Sequence, residues 1–416
     1  GSMISIVSLA SASPPSSATG QSLYGNVNTS STLASAGVFA FASKVLGNYG
    51  MTTLADRLKE RAEKAWDWAD ANPNVIWRNN DAASGTKGIG AGQQETDDYG
   101  RLSYKIRASV YLFELTQKQK YHDYFLANYE QTNMFGWNNF VFPFQYNQQK
   151  TLLYYTTLAQ SNSTAKQKIL NSYKLGVLKQ DQLLSYTNND DPYLAHIKDY
   201  TWGSNSTKML QGLIFTDIIT HNVDATLNNQ AIQAAEEYIH YIHGRNPLSL
   251  MYLSNMNNKG ASKSVSEFFH SWFTNGSSLW DKVGTSTYGP APGFLVGGPN
   301  PSYKWNSCCP NNCPGSNHLC VQLNPPYNQP KQKSFRDFND SWPLDSWQIT
   351  ENSGGYQANY IHLLSYFVKK APVITSTQNK IPSPSIKIYP NPNSGNFTIE
   401  SGELIENVDV YDSQGK

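Results

Sequence analysis

From about residue 31 to 370 the dominant period of this chain is helical. Apolar residues recur at steps of three and four. Steps of two, which would line one face of a strand, are scarce. The stretch 53–71 shows the pattern: Leu54, Leu58, Ala62, Ala65, Trp66 and Ala69 fall on one stripe, and Pro73 follows the expected stop. Comparable stripes cover 31–46, 97–116, 119–131, 146–159, 165–185, 206–221, 228–243 and 353–369. Each stripe has to be buried against other helices, so the expected class is all-α, with about nine or ten helices. The joining segments are rich in Asn, Gly and Pro. The longest, 245–346, is where a helical domain would keep its working residues.

Composition narrows the partners. The net charge is +1 over 416 residues, so there is no basic excess to neutralise phosphates, which argues against nucleic acid. No run approaches the roughly 18 apolar residues that a membrane span needs. Charged residues are only 15% of the chain, so its polarity comes from Asn, Ser, Thr, Gln and Tyr. Ten Trp and 26 Tyr accompany them. Sugar hydroxyls need hydrogen-bond partners and pyranose faces need something to stack on, so this composition suits a carbohydrate ligand. Gly1-Ser2-Met3 reads as an expression remnant, and Ile4–Ala12 is too short and lacks the positive leader of a signal peptide. The period changes near the end. Residues 4–370 form the helical domain, 371–384 (APVITSTQNKIPSP) read as a linker, and 385–416 alternate as short strands with turns.

The densest loops carry the candidate chemistry. They are Gly244-Arg-Asn-Pro247, Glu267-Phe-Phe-His270-Ser-Trp272, the Gly/Pro-rich run Tyr288–Asn300, Phe335-Arg-Asp337 and Trp347-Gln-Ile-Thr-Glu351-Asn-Ser-Gly-Gly-Tyr356. Gly and Pro make turns everywhere, so this pattern alone also fits ordinary loops. The functional reading is a cleft lined by Trp272, Trp305, Trp342, Trp347 and Tyr356. Glu351, flanked by Trp347 and Tyr356, would have its pKa raised for general-acid work. A Glu near a helix start equally serves the helix dipole, for about a few tenths of a kcal/mol.

These segments resemble glycoside hydrolase family 9, the inverting cellulases and related β-glucanases. Gly244-Arg-Asn-Pro247 with a following loop His resembles the family's substrate-binding His loop. Ala291-Pro-Gly-Phe-Leu-Val-Gly-Gly-Pro-Asn300 resembles its glycine-proline stretch, and Phe335-Arg-Asp337 with Trp347-x-x-x-Glu351-x-Ser353 its C-terminal acid signature. Weaker matches run back through Tyr200-Thr-Trp-Gly-Ser-Asn205, and the resemblance covers about residues 20–370. It implies an (α/α)6 toroid, with Glu351 as the general acid. His270 would bind a sugar hydroxyl, and Trp272, Trp347 and Tyr356 would contact substrate. The implied function is hydrolysis of β-1,4-glucosidic bonds in cellulose or a related glucan, with no cofactor required.

The departures are informative. His270-Ser-Trp272 stands where the family usually has His-x-Arg. The longer spacing from Asp337 to Glu351 makes Asp337 a structural residue. The family's general base lies in an Asp-Ala-Gly-Asp-like motif, and none occurs here. Thr96-Asp97-Asp98-Tyr99-Gly100 looks similar but opens a helix in the family's later acidic-helix position. A helix count below twelve agrees with a catalytic domain incomplete at its N-terminus. An inverting mechanism needs two carboxyls about 6.5–9.5 Å apart with water between. Unless Asp97 or Asp98 is the base, this chain is expected to be inactive. The alternative is a non-catalytic glucan-binding protein on the same scaffold; a surface adhesin would ignore oligoglucosides.

Ile388-Tyr-Pro-Asn-Pro392, Gly395-x-Phe397 and Val410-Tyr-Asp-x-x-Gly-Lys416 resemble the C-terminal sorting domain of the type IX secretion system of Bacteroidetes. This implies a secreted or cell-surface bacterial protein that engages that machinery. The pairs Asp97-Asp98 and Asp190-Asp191 offer oxygens for a structural Ca2+, against the simpler reading of helix N-terminal acids and a polar turn. All four cysteines, Cys308, Cys309, Cys313 and Cys320, fall in one short segment with His318. Zinc is one reading. In a secreted chain the expectation is two local disulfides, with three possible pairings. Intact mass tests this: reduction should add about four hydrogens if two disulfides exist. An unchanged mass with stoichiometric zinc establishes the metal site instead.

Overall fold

Every apolar stripe of the sequence becomes helical, one of them in two pieces. The computed structural model describes residues 3–7, 23–78, 81–82, 95–269, 276–303, 323–340, 344–368, 387–389 and 398–400. Its long helices are α1 (Thr29–Asn48), α2 (Thr52–Ala71), α3 (Asp98–Thr116), α4 (Gln119–Asn128), α6 (Tyr146–Thr156), α7 (Ser163–Val177), α9 (Ser204–Thr220), α10 (Asn228–Ile242) and α12 (Gly354–Leu364). Three single turns complete the set: α5 (Asn133–Gly136), α8 (Leu183–Thr187) and α11 (Trp347–Thr350). Caps set several starts. Asn28 accepts from Ser31 N–H, Asp97 from Gly100 N–H and Asn162 from Ala165 N–H.

The stripe over 165–185 is the one that breaks. α7 stops at Val177, and α8 begins only at Leu183. A side chain at Gly176 would collide with Val141 and the Asn139 carbonyl, so helix and loop meet there too closely for anything but glycine. Asp181 then turns left-handed at φ 66, and its N–H donates to Ser185 Oγ at 3.0 Å. The Gln182 amide donates to Val141 O at 2.9 Å, fixing the break to the neighbouring loop.

Five helices stand side by side in series: α1, α3, α6, α9 and α12. The chain returns between them through α2, α4, α7 and α10, which pack against the helix before them. Burial differs widely among these helices. α9 buries 14 of its 17 residues, whereas α2 buries five of 20. Because each return helix runs back, the serial helices are parallel. Side chains confirm the direction. Near the starts, Gln148 of α6 bonds Tyr99 and Ser103 of α3. Near the ends, Lys44, Glu114 and Tyr154 of α1, α3 and α6 form one cluster. This is the architecture of an α/α toroid, and its consequence is that the loops entering α9 and α12 lie together.

Strands are few among the described residues. β1 (Met3–Val7) pairs antiparallel with β2 (Leu23–Asn28), and Met3, read from sequence as a remnant, is registered opposite Asn28. β3 (Met251–Ser254) and β4 (Ser264–Val265) form a short parallel pair within the long loop region. The chain divides into units at 1–367 and 368–416. In the second unit, β5 (Lys387–Tyr389) pairs antiparallel with β6 (Thr398–Glu400). No described helix is long and apolar enough to cross a membrane.

The helical interior holds buried polar groups. Burial pushes Asp217 up to about 7, against the pull of Lys150 and a hydrogen bond with Tyr146. Burial and the Lys150 charge drive His221 and His362 down to about 4. The folded chain therefore keeps a proton on Asp217 where the unfolded chain, ionising near 3.8, has lost it. That contribution is fully present at low pH and is lost as pH rises towards 7; the two histidines act in the opposite sense. We therefore expect Asp217→Asn, measured by denaturant unfolding, to gain on the wild type as pH rises from about 4 to 7, by at most about 1.4 kcal/mol per pH unit. Parallel stability curves would show that Asp217 ionises normally in the fold.

Candidate active site

The entry to α9 is shaped by one glycine. Gly203 has φ +81, and a Cβ there would collide with the Tyr356 hydroxyl. Glycine lets the chain turn sharply out of Tyr200-Thr-Trp202, leaving Trp202 exposed at the mouth of α9. Across from it, the chain between α11 and α12 opens out. Glu351 takes an extended conformation (φ −58, ψ 138) just beyond α11, and Ser353 caps α12 by accepting the Tyr356 N–H at 3.2 Å. The helix does not start at Trp347 and run through; the break at 351–353 is what presents the carboxyl. No acid lies in the first turn of α12, so Glu351 is not its dipole partner.

A third element joins these two ends. Asn205 N–H donates to Gly297 O at 2.9 Å, and its amide donates to Val296 O at 3.0 Å. Gly298 N–H donates to Ile349 O at 2.8 Å. Gln357 clamps Leu295 through both backbone groups, at 2.8 and 2.9 Å. Gly298 sits at φ +100 directly on the Asn205 side chain, and Gly297 sits against the Ile349 carbonyl, so neither place has room for a side chain. Asn359 of α12 also reaches Ser206 of α9 at 3.0 Å.

The electrostatics of Glu351 follow from this setting. It is half-buried, and burial raises its pKa; the Trp202 indole N–H, donating to the carboxylate, pulls the other way. Tyr356 is close enough to feel the Glu351 charge, and burial together with that charge raises the phenol. Trp347 is held by an edge-to-face contact with Phe269, 5.4 Å between centroids. Trp202 is the residue that reading the sequence passed over. Its signal was a Trp before a Gly at a helix mouth, present in the Tyr200–Asn205 match.

Asp337 sits elsewhere and is fully engaged. It accepts from Ser266 N–H at 2.7 Å, Ser266 Oγ at 2.8 Å and Glu267 N–H at 3.2 Å. Burial raises its pKa even against those donors. It ties down the chain just beyond β4, two residues before Phe269. Asp97 and Asp98 open α3, which is separated from α9 by α6. Asp97 caps Gly100 N–H at 2.8 Å, and Asp98 pairs with Arg101. Asp190 accepts from Gln180 at 2.6 Å, and Asp191 from Tyr193 N–H at 2.9 Å. Among the described residues no group of three or more His, Cys, Asp or Glu is gathered as for a metal ion. His270, Trp272, Trp305, Trp342, Cys308, Cys309, Cys313 and Cys320, and the linker at 371–384, lie outside the described residues.

The sequence matches glycosyl hydrolase family 9 over residues 13–364. The chain belongs to glycosyl hydrolase family 9. Residues 387–416 match the secretion system C-terminal sorting domain, so this family 9 chain is a secreted or cell-surface bacterial protein. Solved structures share the fold. A metagenome-derived glycoside hydrolase family 9 endoglucanase superposes with a TM-score of 0.63 at 18% identity, over 85% of this chain and 55% of its own. A family 9 protein from Bacteroides ovatus gives 0.60 at 19% identity, over 85% and 56%. A single-mutant thermostable endoglucanase from Alicyclobacillus acidocaldarius gives 0.62 at 15%, over 86% and 58%. The chain thus spans little more than half the length of these structures. A search of curated proteins gives no match.

The Trp202–Glu351 bond makes a prediction. Trp202→Phe keeps a ring in place but removes the donor that favours the carboxylate. Glu351 should then titrate at higher pH than in the wild type, followed by carboxyl-carbon NMR against a Glu351→Gln spectrum for assignment. An unchanged or lower midpoint would show that the indole does not hold the carboxylate.

Proposed function

We propose that this family 9 chain acts on β-1,4-linked glucans, cellulose or a soluble relative, with Glu351 as the general acid of an inverting hydrolysis. The observation that carries the reading is the setting of Glu351: a half-buried carboxyl with raised proton affinity, one indole donor, and ring walls from Trp202 and Tyr356. Raised proton affinity keeps the acid protonated nearer neutral pH, ready to give its proton to the leaving glycosidic oxygen. Water then attacks the anomeric carbon from the opposite face, giving up its proton to a carboxylate base. Trp202, Trp347 and Tyr356 provide stacking surfaces, with His270 and Trp272 as further sugar contacts. Asp337 positions the chain that leads to His270. Two of the structural neighbours are endoglucanases, which is consistent with this substrate class.

The reaction as proposed uses carboxyls and water and needs no cofactor. A structural Ca2+ at Asp97-Asp98 or Asp190-Asp191 would compete with the internal donors that those carboxylates already accept. The sorting tail would deliver the chain to the type IX secretion machinery. A second reading has its own support. Asp97 and Asp98 are engaged as cap and ion pair, two serial helices from α12's partner α9, which makes each a poor base. This favours the non-catalytic alternative, a glucan-binding protein on the same scaffold.

One experiment separates them. Glu351→Gln preserves shape but removes the transferable proton. If the chain is an enzyme, turnover of an unactivated cello-oligosaccharide should fall by about 10²–10⁴. An aryl cellobioside with a good leaving group should lose much less, and affinity should barely change. Affinity without turnover in the wild type selects the binding reading. Equal loss on both substrates together with collapsed affinity would remove Glu351 from the role of acid.

A further inference from the structure

Far along the segment that braces Glu351, a second surface is built for a flat, neutral, hydroxylated ligand. Trp280 and Tyr288 stack on each other, 4.8 Å between centroids at 28°, and both are exposed, Tyr288 by 61%. The stack is preorganised. Thr287 N–H donates to Ser278 O at 3.0 Å and Tyr288 N–H to Leu279 O at 2.9 Å, closing the loop that carries both rings. Val283 N–H donates to Ser266 O at 3.0 Å, and Lys282 pairs with Glu267 at 2.8 Å, anchoring the loop to β4. Asn255 secures its far side by donating to Tyr288 O and Pro290 O at 3.0 and 2.7 Å.

Beside the rings lies a pocket of about 420 Å³, within the range of small-ligand sites. Asn255, Asn258, Ser278, Thr285, Ser286 and Thr287 supply its polar wall, and among the described residues no Asp, Glu, Lys, Arg or His lines it. A wall without charge selects neither phosphate nor cation. Many hydroxyls and amides around a pocket select a ligand rich in hydroxyls, and a rigid aromatic platform selects one with a flat apolar face. A pyranose with equatorial hydroxyls has both. Gly289 also lines the pocket, and nine residues on, Gly298 bonds Ile349, close in sequence to Glu351. The connecting backbone spans at most about 30 Å, the reach of a long oligosaccharide.

We propose that Trp280, Tyr288 and this pocket form a second glucan-binding surface, which holds a polymer chain away from Glu351. The choice of glucan rests on the function proposed above; the neutral, polyhydroxylated chemistry does not. The full chain would be titrated with cellohexaose by calorimetry and with swollen cellulose by depletion. Trp280→Ala and Tyr288→Ala should each weaken binding about tenfold or more, as loss of an aromatic anchor does. Trp280→Phe, which keeps a ring, should retain most of it. Asn258→Ala, which leaves the stack untouched, should weaken binding severalfold, and Glu351→Gln should not. Wild-type affinity in the two ring-to-alanine variants, with unchanged unfolding temperature, overturns the second surface and leaves the proposed function standing. Failure of the wild type to bind either glucan overturns both.

Discussion

A buried backbone N–H or carbonyl must find a partner, because leaving one unmet costs about as much as a lost hydrogen bond. Residues 295–298 meet that requirement by bonding to three elements at once. Leu295 pairs with Gln357 on α12, Val296 and Gly297 with Asn205 on α9, and Gly298 with Ile349 on α11. Two helix mouths and one break between helices are thereby held in register around Glu351. The close approach depends on Gly203, Gly297 and Gly298, each facing a group that occupies the space a Cβ would need. Apolar packing brings the helices together, and this backbone lacing decides how their ends meet.

The same physics gives two carboxyls different work. Glu351 and Asp337 both have pKa values raised by burial. Asp337 accepts from three donors on one short stretch of chain, so its oxygens are spent holding 266–267 in place. For Glu351 the one donor that favours the carboxylate is the indole of Trp202, whose own ring is exposed. A raised pKa alone would not have told them apart; the donor count does.

Much of the fold is legible in the chain because a helix of this kind declares itself locally. The stripe of Leu54, Leu58, Ala62, Ala65, Trp66 and Ala69 needs only the 3.6-residue period to be recognised, and α2 follows it. The failure over 165–185 has an equally physical cause. Nothing local distinguishes Gly176 from any other helical glycine; it is Val141 and Asn139, over thirty residues earlier, that crowd it, close to where α7 ends. Trp202 escaped notice for the same reason. Its place beside Glu351 depends on α9 and α12 being neighbours, which no spacing within residues 200–205 records.

The sequence by itself determined the helical class, the positions of the long helices, the change of period near residue 370 and the family to which the chain belongs. Those are properties of local periodicity and of short ordered motifs, and both survive in one dimension. Only the tertiary structure decided that the Trp202 indole acts on Glu351, that Asp337 is consumed by Ser266 and Glu267, and that Trp280 stacks on Tyr288. These pairings join residues eight to about 150 positions apart. They are set by which elements pack side by side, and that becomes defined only in the folded chain.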